Sequence, residues 1–392
     1  MNFLGFLFLA LLGMTVCFVD SCTMVEVPFG DQKYNKHNKL IGRTMELGGK
    51  YLRSTWKLGT FARGERIIFH LSLEETRTDE IDKRLSLYSK YAFIGIQVTA
   101  LEAPLEFVAD GMNEHGLSVG VLTHRGAFYQ DENKDANSKD KPDLIYIQLV
   151  PYLLGNCRSI AEVIATLESI RIIAGPLLGH PGNYVHWTIH DADGESIVVE
   201  YIKGTLNIHQ NTVGVLTNDP SFDWHLRNLN NYAGITPFNP DRSRDITLVE
   251  TEVGQVPKPV GHGFNLFGIP GDFSPASRFV KTFFLKQIAI FNSPPRNERE
   301  AQTLVTGLIN SVFLPYGTVA KTSPLDPLEF TQFALIKNLK DRVYMFRTYD
   351  SMVWKKVDMK QLMPKLQRGE KTHPLPLFDG TVGIEDITDK FL

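Results

Sequence analysis

The sequence predicts an α+β fold of two antiparallel sheets packed together, with helices outside them. Helical patterns come in pairs between blocks of strand patterns, at about 144–171 and 274–313, whereas a doubly wound parallel sheet would alternate strand and helix. Residues 184–217 are typical of an antiparallel meander, because short alternating segments are joined by tight turns such as Asp191–Gly194. Hydrophobic residues make up 43% and charged residues 22% of the 392 positions, which indicates a globular chain and excludes disorder and coiled coil.

The first 21 residues predict a removable signal peptide. Positions 3–19 are almost entirely apolar, and Val19 and Ser21 suit the small-residue rule for cleavage after Ser21, although no Lys or Arg precedes the apolar run. An uncleaved anchor and a lipoprotein signal with Cys22 as the lipidated residue stay open as alternatives. Export by a signal peptide would place the protein in a periplasm or outside the cell.

Cleavage after Ser21 would leave two cysteines, with Cys22 as the first residue. Cys157 follows a helical pattern and is either a small buried residue or the partner of Cys22 in one disulfide. A chain that begins with cysteine carries a thiol of pKa about 8.5 and a free α-amine of pKa about 8 on the same residue. Nucleophile and base are then supplied together.

The elements before residue 175 are strands followed by one helical pair. Strand patterns cover 22–28, 39–44, 66–73, 91–99 and 117–123. The polar stretch 124–143 predicts a surface loop. Helices are predicted at about 144–154 and 159–171, the second with Ser159 as N-cap and Glu162 in a capping box.

The second half continues with the meander and a second helical pair. In the strand at 184–190 the apolar residues share one face, and we expect His186 and His190 on the other face to be solvated. Further strands are predicted at 196–202, 206–209, 213–217, 331–337 and 342–348, and helices from Ser274, with Pro275 at the first position, and at about 298–313.

We expect residues 22–392 to form a single domain, since no boundary interrupts these patterns. The chain has no internal repeat and no low-complexity tract. The segment 234–263 is long, irregular and rich in Pro and Gly, and an insert of that length needs a function or a partner to order it.

The charge balance and the motif content exclude several classes of function. The net charge is −3, from 41 basic and 44 acidic side chains, so the chain lacks the basic excess of a broad nucleic-acid interface. Beyond residue 19 no apolar run reaches the ~20 residues of a membrane span. No metal, redox or nucleotide motif occurs in the sequence, and we therefore expect neither a metal nor a cofactor.

Four polar residues in glycine-rich settings are candidates for chemistry. They are Arg43 in IGRTMEL, Asn113 in ADGMNEHGL, Asn218 in GVLTNDPSFDW and Arg278 in GIPGDFSPASRF. Arg278 lies in the first turn of a helix, where the dipole disfavours a cation, so either a surface ion pair or a functional role explains it. Asn113 and Asn218 also suit turns. Arg43 needs a partner if it is buried, and Glu46 is the nearest candidate.

These segments, together with HWTIHDADGESIVVE, occur in this order in one family. From Cys22 to about residue 350 the chain resembles the choloylglycine hydrolases, which comprise conjugated bile acid hydrolases and penicillin V acylases. These are N-terminal nucleophile (Ntn) hydrolases, and the resemblance implies a four-layer αββα sandwich of two antiparallel sheets. That architecture agrees with the fold predicted from the patterns alone.

The resemblance also implies roles for individual residues. Cys22 would be the nucleophile with its own α-amine as base, and Asn218 would donate its side-chain amide to the oxyanion. Arg43 and Arg278 would lie near the thiol, where we expect their charges to lower its pKa. The segment 234–263 resembles the one that reaches a neighbouring subunit in tetrameric members, which implies a homotetramer.

Two positions depart from the family pattern. Glu46 stands where the family usually has Asp, so one more methylene must be accommodated beside the N-terminal amine. Thr123 stands where bile acid hydrolases typically have Asn and penicillin V acylases often have Tyr, which puts the choice of substrate in doubt. Met45, beside Arg43, is either part of an apolar substrate pocket or ordinary core.

The expected activity is hydrolysis of a linear amide, with a glycine- or taurine-conjugated bile salt as the favoured substrate. Penicillin V and N-acyl-homoserine lactones are alternative substrates. A non-enzymatic secreted or anchored binding protein on the same scaffold also stays open, and it requires that Cys22 never acquires a free amine.

Overall fold

The computed structural model describes residues 21–31, 38–48, 53, 55–68, 84–98, 107–130, 140–174, 185–239, 248–257, 262–319 and 328–380. The predicted signal peptide, apart from Ser21, therefore lies outside the described residues. Ser21 is bonded to Cys22 in this structure, so the nitrogen of Cys22 is a peptide nitrogen.

The described residues form strands and helices in the following order. The strands are Ser21–Pro28 (β1), Lys39–Gly48 (β2), Trp56–Phe61 (β3), Phe93–Val98 (β4), Phe107–Asn113 (β5), Ser118–Thr123 (β6), Asp143–Ile145 (β7), Arg171–Ile173 (β8), Val185–His190 (β9), Ser196–Ile202 (β10), Thr205–Gln210 (β11), Val215–Leu216 (β12), Leu248–Thr251 (β13), Gly254–Pro257 (β14), Glu329–Asn338 (β15), Val343–Thr348 (β16), Ser351–Asp358 (β17) and Leu375–Pro376 (β18). The helices are Leu149–Asn156 (α1), Ile160–Ser169 (α2), Phe222–Asn228 (α3), Pro275–Asn292 (α4), Glu298–Asn310 (α5) and Met359–Gln367 (α6).

Two large antiparallel sheets form the centre of the fold. One has six strands in the order β12-β1-β2-β15-β16-β17, and the other has eight in the order β11-β10-β9-β6-β5-β4-β3-β18. Helices α4 and α5 pack on β1 of the first sheet, and α1 packs on β5 and β6 of the second. The predicted α+β sandwich of layers αββα is therefore confirmed.

The helix boundaries follow the capping residues named from the sequence. Ser159 accepts a hydrogen bond from the backbone N–H of Glu162, and Ser274 accepts one from that of Ser277, with Pro275 at the first helical position of α4. An oxygen or hydroxyl at the N-cap satisfies a backbone donor that the helix itself leaves unpaired. Both predicted N-caps are confirmed.

Two predicted segments differ from the structure. The helix expected at 144–154 begins at Leu149, because β7 pairs in parallel with β8 instead of coiling. The segment 234–263, expected to be irregular, contains the antiparallel hairpin β13–β14. A hairpin supplies its own backbone hydrogen bonds, so these residues are partly ordered without a partner.

The strand predicted at 66–73 is absent from its described part, and the expected exposure of His186 and His190 was wrong. Arg66 forms an isolated bridge to Tyr88 rather than part of a strand, residues 67 and 68 are irregular, and 69–73 lie outside the described residues. His186 and His190 are buried, because β9 lies inside the eight-stranded sheet between β10 and β6 and every residue of β9 is covered. Period-two alternation marks two faces of a strand but does not tell which of them a second layer covers.

Candidate active site

Cys22 lies on β1, the second strand from one edge of the six-stranded sheet, and is fully buried. In the β1–β2 register it stands opposite Met45, and its Sγ lies 3.5 Å from the Met45 Sδ. Cys22 and Cys157 are both free thiols, which excludes the disulfide alternative. Met45 is itself buried in the core, so it lines the thiol with apolar surface.

The thiol of Cys22 is strongly protonated as long as Ser21 precedes it. Burial raises the pKa of the thiol to about 11, and the carboxyl of Glu46 acts in the same direction. The charges of Arg43 and Arg278 act to lower this pKa but do not outweigh burial. The two arginines thus lower the thiol pKa as expected, but burial has the larger effect in the unprocessed chain, and attack by the sulfur requires a base.

Arg43 reaches from β2 across to the second sheet. Its Nη2 lies 3.8 Å from the Cys22 Sγ, and its Nη1 donates to Asp110 Oδ2 at 2.9 Å and to the carbonyl of Ala109 at 2.8 Å. Glu46, the partner considered from the sequence, is not the one that pairs with it. Gly120 permits this ion pair, because a Cβ there would lie 2.6 Å from Asp110 Oδ2.

The carboxylate of Asp110 is shared by a second buried cation. Lys337 of β15 donates to both carboxylate oxygens, at 2.7 and 2.9 Å, and Tyr344 of β16 donates to Oδ1 at 3.1 Å. Lys337 is 1% exposed and Asp110 is 0% exposed. Two cations thus face one carboxylate near the thiol. The buried cluster of Arg43, Lys337 and Asp110 therefore has a net positive charge.

Arg278 approaches Cys22 from the first turn of α4. Its Nη1 donates to the carbonyl of Cys22 and, at 2.7 Å, to the hydroxyl of Thr23, and its Nη2 donates to Asn218 Oδ1 at 2.7 Å. It is 1% exposed, so the surface ion pair considered for it is wrong. Burial lowers the pKa of this guanidinium, against the opposing charges of Glu46 and Cys22.

The side-chain amide of Asn218 has a defined orientation. Its Oδ1 accepts from the backbone N–H of Cys22 at 2.7 Å and from Arg278, and its Nδ2 donates to the carbonyl of Thr123 at 2.9 Å. Arg278 can only donate and a carbonyl can only accept, which fixes which end of the amide is which. One N–H of the Asn218 amide is left to donate to another group.

Glu46 and Thr123 complete the predicted set. Glu46 stands opposite Ser21 in the β1–β2 register, and its carboxyl accepts from Thr44 and Thr331 at 3.1 and 2.7 Å. Burial raises the pKa of Glu46 to about 7, although the charge of Arg278 opposes the shift. Thr123 is buried at the end of β6, and its Oγ1 makes no hydrogen bond to the described residues.

One group of side chains behind Asn218 has the composition of a metal site. Nitrogens of His124 and His186 and an oxygen of Glu200 lie within 4.8 Å of one another, and all three residues are buried. Both nitrogens of His186 already face oxygen partners, Glu200 Oε1 at 2.8 Å and the carbonyl of Thr217 at 2.9 Å. Hydrogen bonding therefore accounts for the arrangement of these groups.

The structure thus brings Cys22, Arg43, Asn218 and Arg278 together as expected. A thiol, two guanidinium groups and one oriented amide donor converge on β1, and this set can stabilise negative charge on sulfur and on an oxygen. Asn113 is not part of the set: its Oδ1 accepts from the backbone N–H groups of His115 and Leu117, in the β-turn that its sequence favoured. Within the described part of the chain, no helix has the length and apolarity to cross a membrane.

Comparison with known proteins identifies the family of this chain. The profile of the family described as linear amide C–N hydrolases, choloylglycine hydrolase family, matches residues 27–368. The bile salt hydrolase/transferase of Clostridium perfringens is 32% identical over 277 residues, which cover 70% of this chain and 78% of that protein. The penicillin V acylase of Pectobacterium atrosepticum is 26% identical over 268 residues, covering 64% of this chain and 62% of that protein.

A solved structure supports the same assignment. A variant of the conjugated bile acid hydrolase from Clostridium perfringens superposes with a TM-score of 0.75 and 25% identity, over 94% of this chain and 100% of that chain. Fold, family profile and sequence relatives therefore agree with one another. The chain belongs to the choloylglycine hydrolase family and is a hydrolase of linear amide C–N bonds.

Proposed function

We propose that this chain is an exported cysteine Ntn amidohydrolase, whose mature form begins at Cys22 and cleaves the amide bond of glycine- or taurine-conjugated bile salts. The observation that carries the proposal is that three side chains contact the nitrogen, the carbonyl and the sulfur of Cys22. Its nitrogen contacts Asn218 Oδ1 at 2.7 Å, its carbonyl accepts from Arg278, and its Sγ faces Arg43. Nucleophile, nitrogen and oxyanion donor then lie within one hydrogen-bonded network.

Removal of residues 1–21 would change the chemistry at this point. The peptide nitrogen of Cys22 cannot accept a proton, whereas a free α-amine can. The high pKa of the buried thiol makes such a base necessary. Asn218 Oδ1, which accepts from this nitrogen, would hold the new amine beside the sulfur.

The reaction then follows in two acyl-transfer steps. The α-amine takes the thiol proton as Sγ bonds to the substrate carbonyl carbon, and the remaining N–H of Asn218 donates to the oxyanion. The carbonyl–nitrogen bond breaks, the amine product leaves with the proton from the α-ammonium, and the acyl group stays on sulfur as a thioester. Water hydrolyses the thioester and restores the thiol.

Substrate identity is the finer part of the proposal. The Clostridium perfringens relative is named as a bile salt hydrolase/transferase, and the apolar lining that Met45 gives the thiol suits an acyl group with a large hydrophobic body. A panel of glyco- and tauro-conjugates, penicillin V and N-acyl lactones tests it. Faster turnover of penicillin V than of any conjugate would favour the acylase alternative.

Two variants test the mechanism. Cys22→Ala should abolish turnover with the fold intact, since it removes the nucleophile. Cys157→Ala is the matched control: this thiol is buried against Thr166, 3.3 Å from its hydroxyl, and should be dispensable for activity. Substantial activity in Cys22→Ala would overturn the proposal, because turnover would then not depend on the Cys22 thiol.

Export and assembly are proposed with the activity. Intact mass and N-terminal sequence of the exported protein should give a chain that begins at Cys22 without a lipid. We propose a homotetramer that uses the segment 234–263 and its surroundings, because Val253 is 87% exposed and Phe267 is 83% exposed. Light scattering tests this, and Val253→Asp should lower the mass of the assembly.

A further inference from the structure

Three buried histidines bind three consecutive residues of the segment that carries Asn218. All three are at most 2% exposed. The contacts are His186 Nε2 to the carbonyl of Thr217 at 2.9 Å, His225 Nε2 to the carbonyl of Asn218 at 2.8 Å, and His124 Nδ1 to Asp219 Oδ1 at 3.2 Å. We call His124, His186 and His225 the histidine clamp.

We propose that the histidine clamp positions the Asn218 amide for its work as oxyanion donor. The inference rests on the proposed function, because it assigns to these residues a role in the reaction of the same site. The histidines are positioning residues rather than catalytic ones, since they hold the backbone and the neighbour of Asn218 and not the substrate.

The segment needs such support because no regular element holds it. β12 ends at Leu216 and α3 begins at Phe222, so residues 217–221 belong to neither a sheet nor a helix. A loop that must hold a donor within a fraction of an ångström needs side-chain contacts to fix it. Misplacement of a reacting group by about 1 Å costs on the order of 100-fold in rate.

His186 is the most constrained member of the clamp. Its Nδ1 faces Glu200 Oε1 at 2.8 Å and its Nε2 faces the carbonyl of Thr217, so both ring nitrogens lie against oxygen atoms. Burial acts to raise the pKa of Glu200, but the hydrogen bond and charge of His186 outweigh it and lower this pKa. Glu200 also accepts from the backbone N–H of Phe222, so its carboxylate links His186 to the start of α3.

His225 acts as a neutral donor. Burial lowers the pKa of His225 to about 4, so the ring is uncharged near neutral pH and its hydrogen lies on Nε2, which faces the carbonyl of Asn218. The ring stacks on Phe279 of α4, with centroids 4.6 Å apart and planes at 10°. The clamp thus ties the Asn218 carbonyl to the helix that also carries Arg278.

His124 secures the other side of the amide. It follows Thr123, whose carbonyl accepts from Asn218 Nδ2, and it pairs with Asp219, which follows Asn218. The Asp219 carboxylate also accepts from the backbone N–H groups of Arg125 and Gly126, each at 2.8 Å. Residues 123–126 and 218–219 are therefore held together by the Asn218–Thr123 hydrogen bond and by the contacts of the Asp219 carboxylate.

A matched pair of variants at one position tests the proposal. In His186→Gln the side-chain nitrogen can take the place of Nε2 and still donate to Thr217, whereas in His186→Asn it replaces Nδ1 and only the Glu200 contact remains. We expect kcat to fall on the order of 10- to 100-fold in His186→Asn, with KM little changed, and by about threefold or less in His186→Gln. Equal losses in the two variants would indicate a structural role and overturn the proposal.

A double-mutant cycle asks whether His186 acts through Asn218. In an Asn218→Ala background, which itself should lose about 100- to 1,000-fold in kcat, His186→Asn should have no further effect. The same loss in both backgrounds would contradict the inference. The rate of Cys22 alkylation by iodoacetamide should not change in any histidine variant, because the thiol is not their target.

A second pair keeps the test available if His186→Asn does not fold. His225→Gln retains a donor to the carbonyl of Asn218 and His225→Asn does not, so the same difference in kcat is expected. Failure of the proposed function is a separate result, since turnover would then persist in Cys22→Ala. An essential Cys22 with kcat unaffected in His186→Asn and His225→Asn would refute the clamp alone.

Discussion

Arg43 and Arg278 both contact Cys22, and both are 1% exposed, yet the protein holds the two charges in different ways. Arg43 is paired with the carboxylate of Asp110 and is anchored to two backbone carbonyls of the opposite sheet. Arg278 donates to three carbonyl or amide oxygens and one hydroxyl, and all four of these acceptors are neutral. Burial acts to lower the pKa of both, but the charges of Cys22 and Asp110 raise that of Arg43, whereas that of Arg278 stays lowered.

The two sets of partners predict different roles: the charge of Arg43 is paired with a carboxylate in the resting protein, whereas that of Arg278 is held by neutral groups. A buried cation with a carboxylate partner is balanced in the resting protein, whereas one held by neutral dipoles gains most when an anion forms beside it. Arg278 lies against the Cys22 carbonyl and the Asn218 oxygen, and its charge acts to lower the pKa of the Cys22 thiol. We therefore expect Arg43 to matter for stability and reactivity together, and Arg278 mainly for reactivity.

Removing the counter-charge of Arg43 should give the largest effect. Asp110→Asn leaves Arg43 and Lys337 buried without a carboxylate, and we expect the free energy of unfolding to fall by about 3–5 kcal/mol. Denaturant unfolding measures it. Asp350→Asn, which breaks an exposed pair with Arg53, is the control and should cost at most about 1 kcal/mol. A similar small loss in Asp110→Asn would remove the distinction between the two arginines.

Removing Arg278 should affect rate rather than stability. Arg278→Met deletes a buried cation whose hydrogen-bond partners, among the residues that the structure describes, include no carboxylate, so we expect an unchanged or higher free energy of unfolding. We expect kcat/KM to fall about 100- to 1,000-fold, as for the loss of an oxyanion donor. Lys281→Met, one turn further along α4, is the control and should keep full activity. A large loss of stability in Arg278→Met would put both arginines in one class.

The carboxyl of Glu46 makes the comparison of the two arginines testable by pH. Of the charges that act on Arg278, that of Glu46 does most to raise its pKa. Its pKa is raised from the ordinary value of 4.5 to about 7. The folded chain therefore binds the proton more tightly than the unfolded one, so this stability is fully present below pH 4.5 and is lost as pH rises through about 7. In a chain expressed from Ser21, the free energy of unfolding should fall by about 2 kcal/mol as the pH rises from 5 to 8.

The matched measurement uses a second buried glutamate of opposite behaviour. Glu46→Gln should abolish this dependence between pH 5 and 8. In Glu26, burial acts to raise the pKa, but His190 and Lys39 outweigh it and lower this pKa to about 2. Its contribution to stability is therefore present above pH 4.5 and lost as pH falls through about 2. Glu26→Gln should leave the dependence between pH 5 and 8 in place, and an equal change in both variants would contradict the assignment to Glu46.

The sequence predicted the layers and the residues around the thiol better than the groups behind them. Strand alternation and helix pairing predicted two packed antiparallel sheets with helices outside them, and the resemblance implied the αββα layers and the roles of Cys22, Arg43, Asn218 and Arg278. Lys337 offered a signal that was not used, since it interrupts the apolar run FALIKNL on β15. A lysine at such a position is buried only with a partner, and that partner is 227 residues away on the other sheet.

The histidines were misjudged for a physical reason of the same kind. A polar face of a strand is solvated in a one-sided sheet, but β9 is covered on both faces. Whether His186 meets water or Glu200 depends on how β9, β10 and the segment before α3 come together, and local sequence does not determine that arrangement. The partner of Arg43 was missed likewise, because residues three apart on a strand face opposite sides and the true partner comes from another sheet.

The smallest expected effect comes from removing a charge beside Asp110, the partner of Arg43, and it is compared with the removal of a neutral hydrogen bond to the same carboxylate. Lys337→Met removes one of the two cations that face Asp110, so the cluster beneath the thiol becomes neutral and Arg43 is drawn more fully to the carboxylate. We expect Cys22 to react with iodoacetamide up to about tenfold more slowly at a given pH, while stability changes by about 1 kcal/mol or less, since an apolar side chain fills the same volume. Tyr344→Phe removes a neutral hydrogen bond to the same carboxylate at 3.1 Å and should leave the alkylation rate within about twofold. Equal slowing in both variants would mean that packing around Asp110, and not its charge balance, sets the reactivity of the thiol.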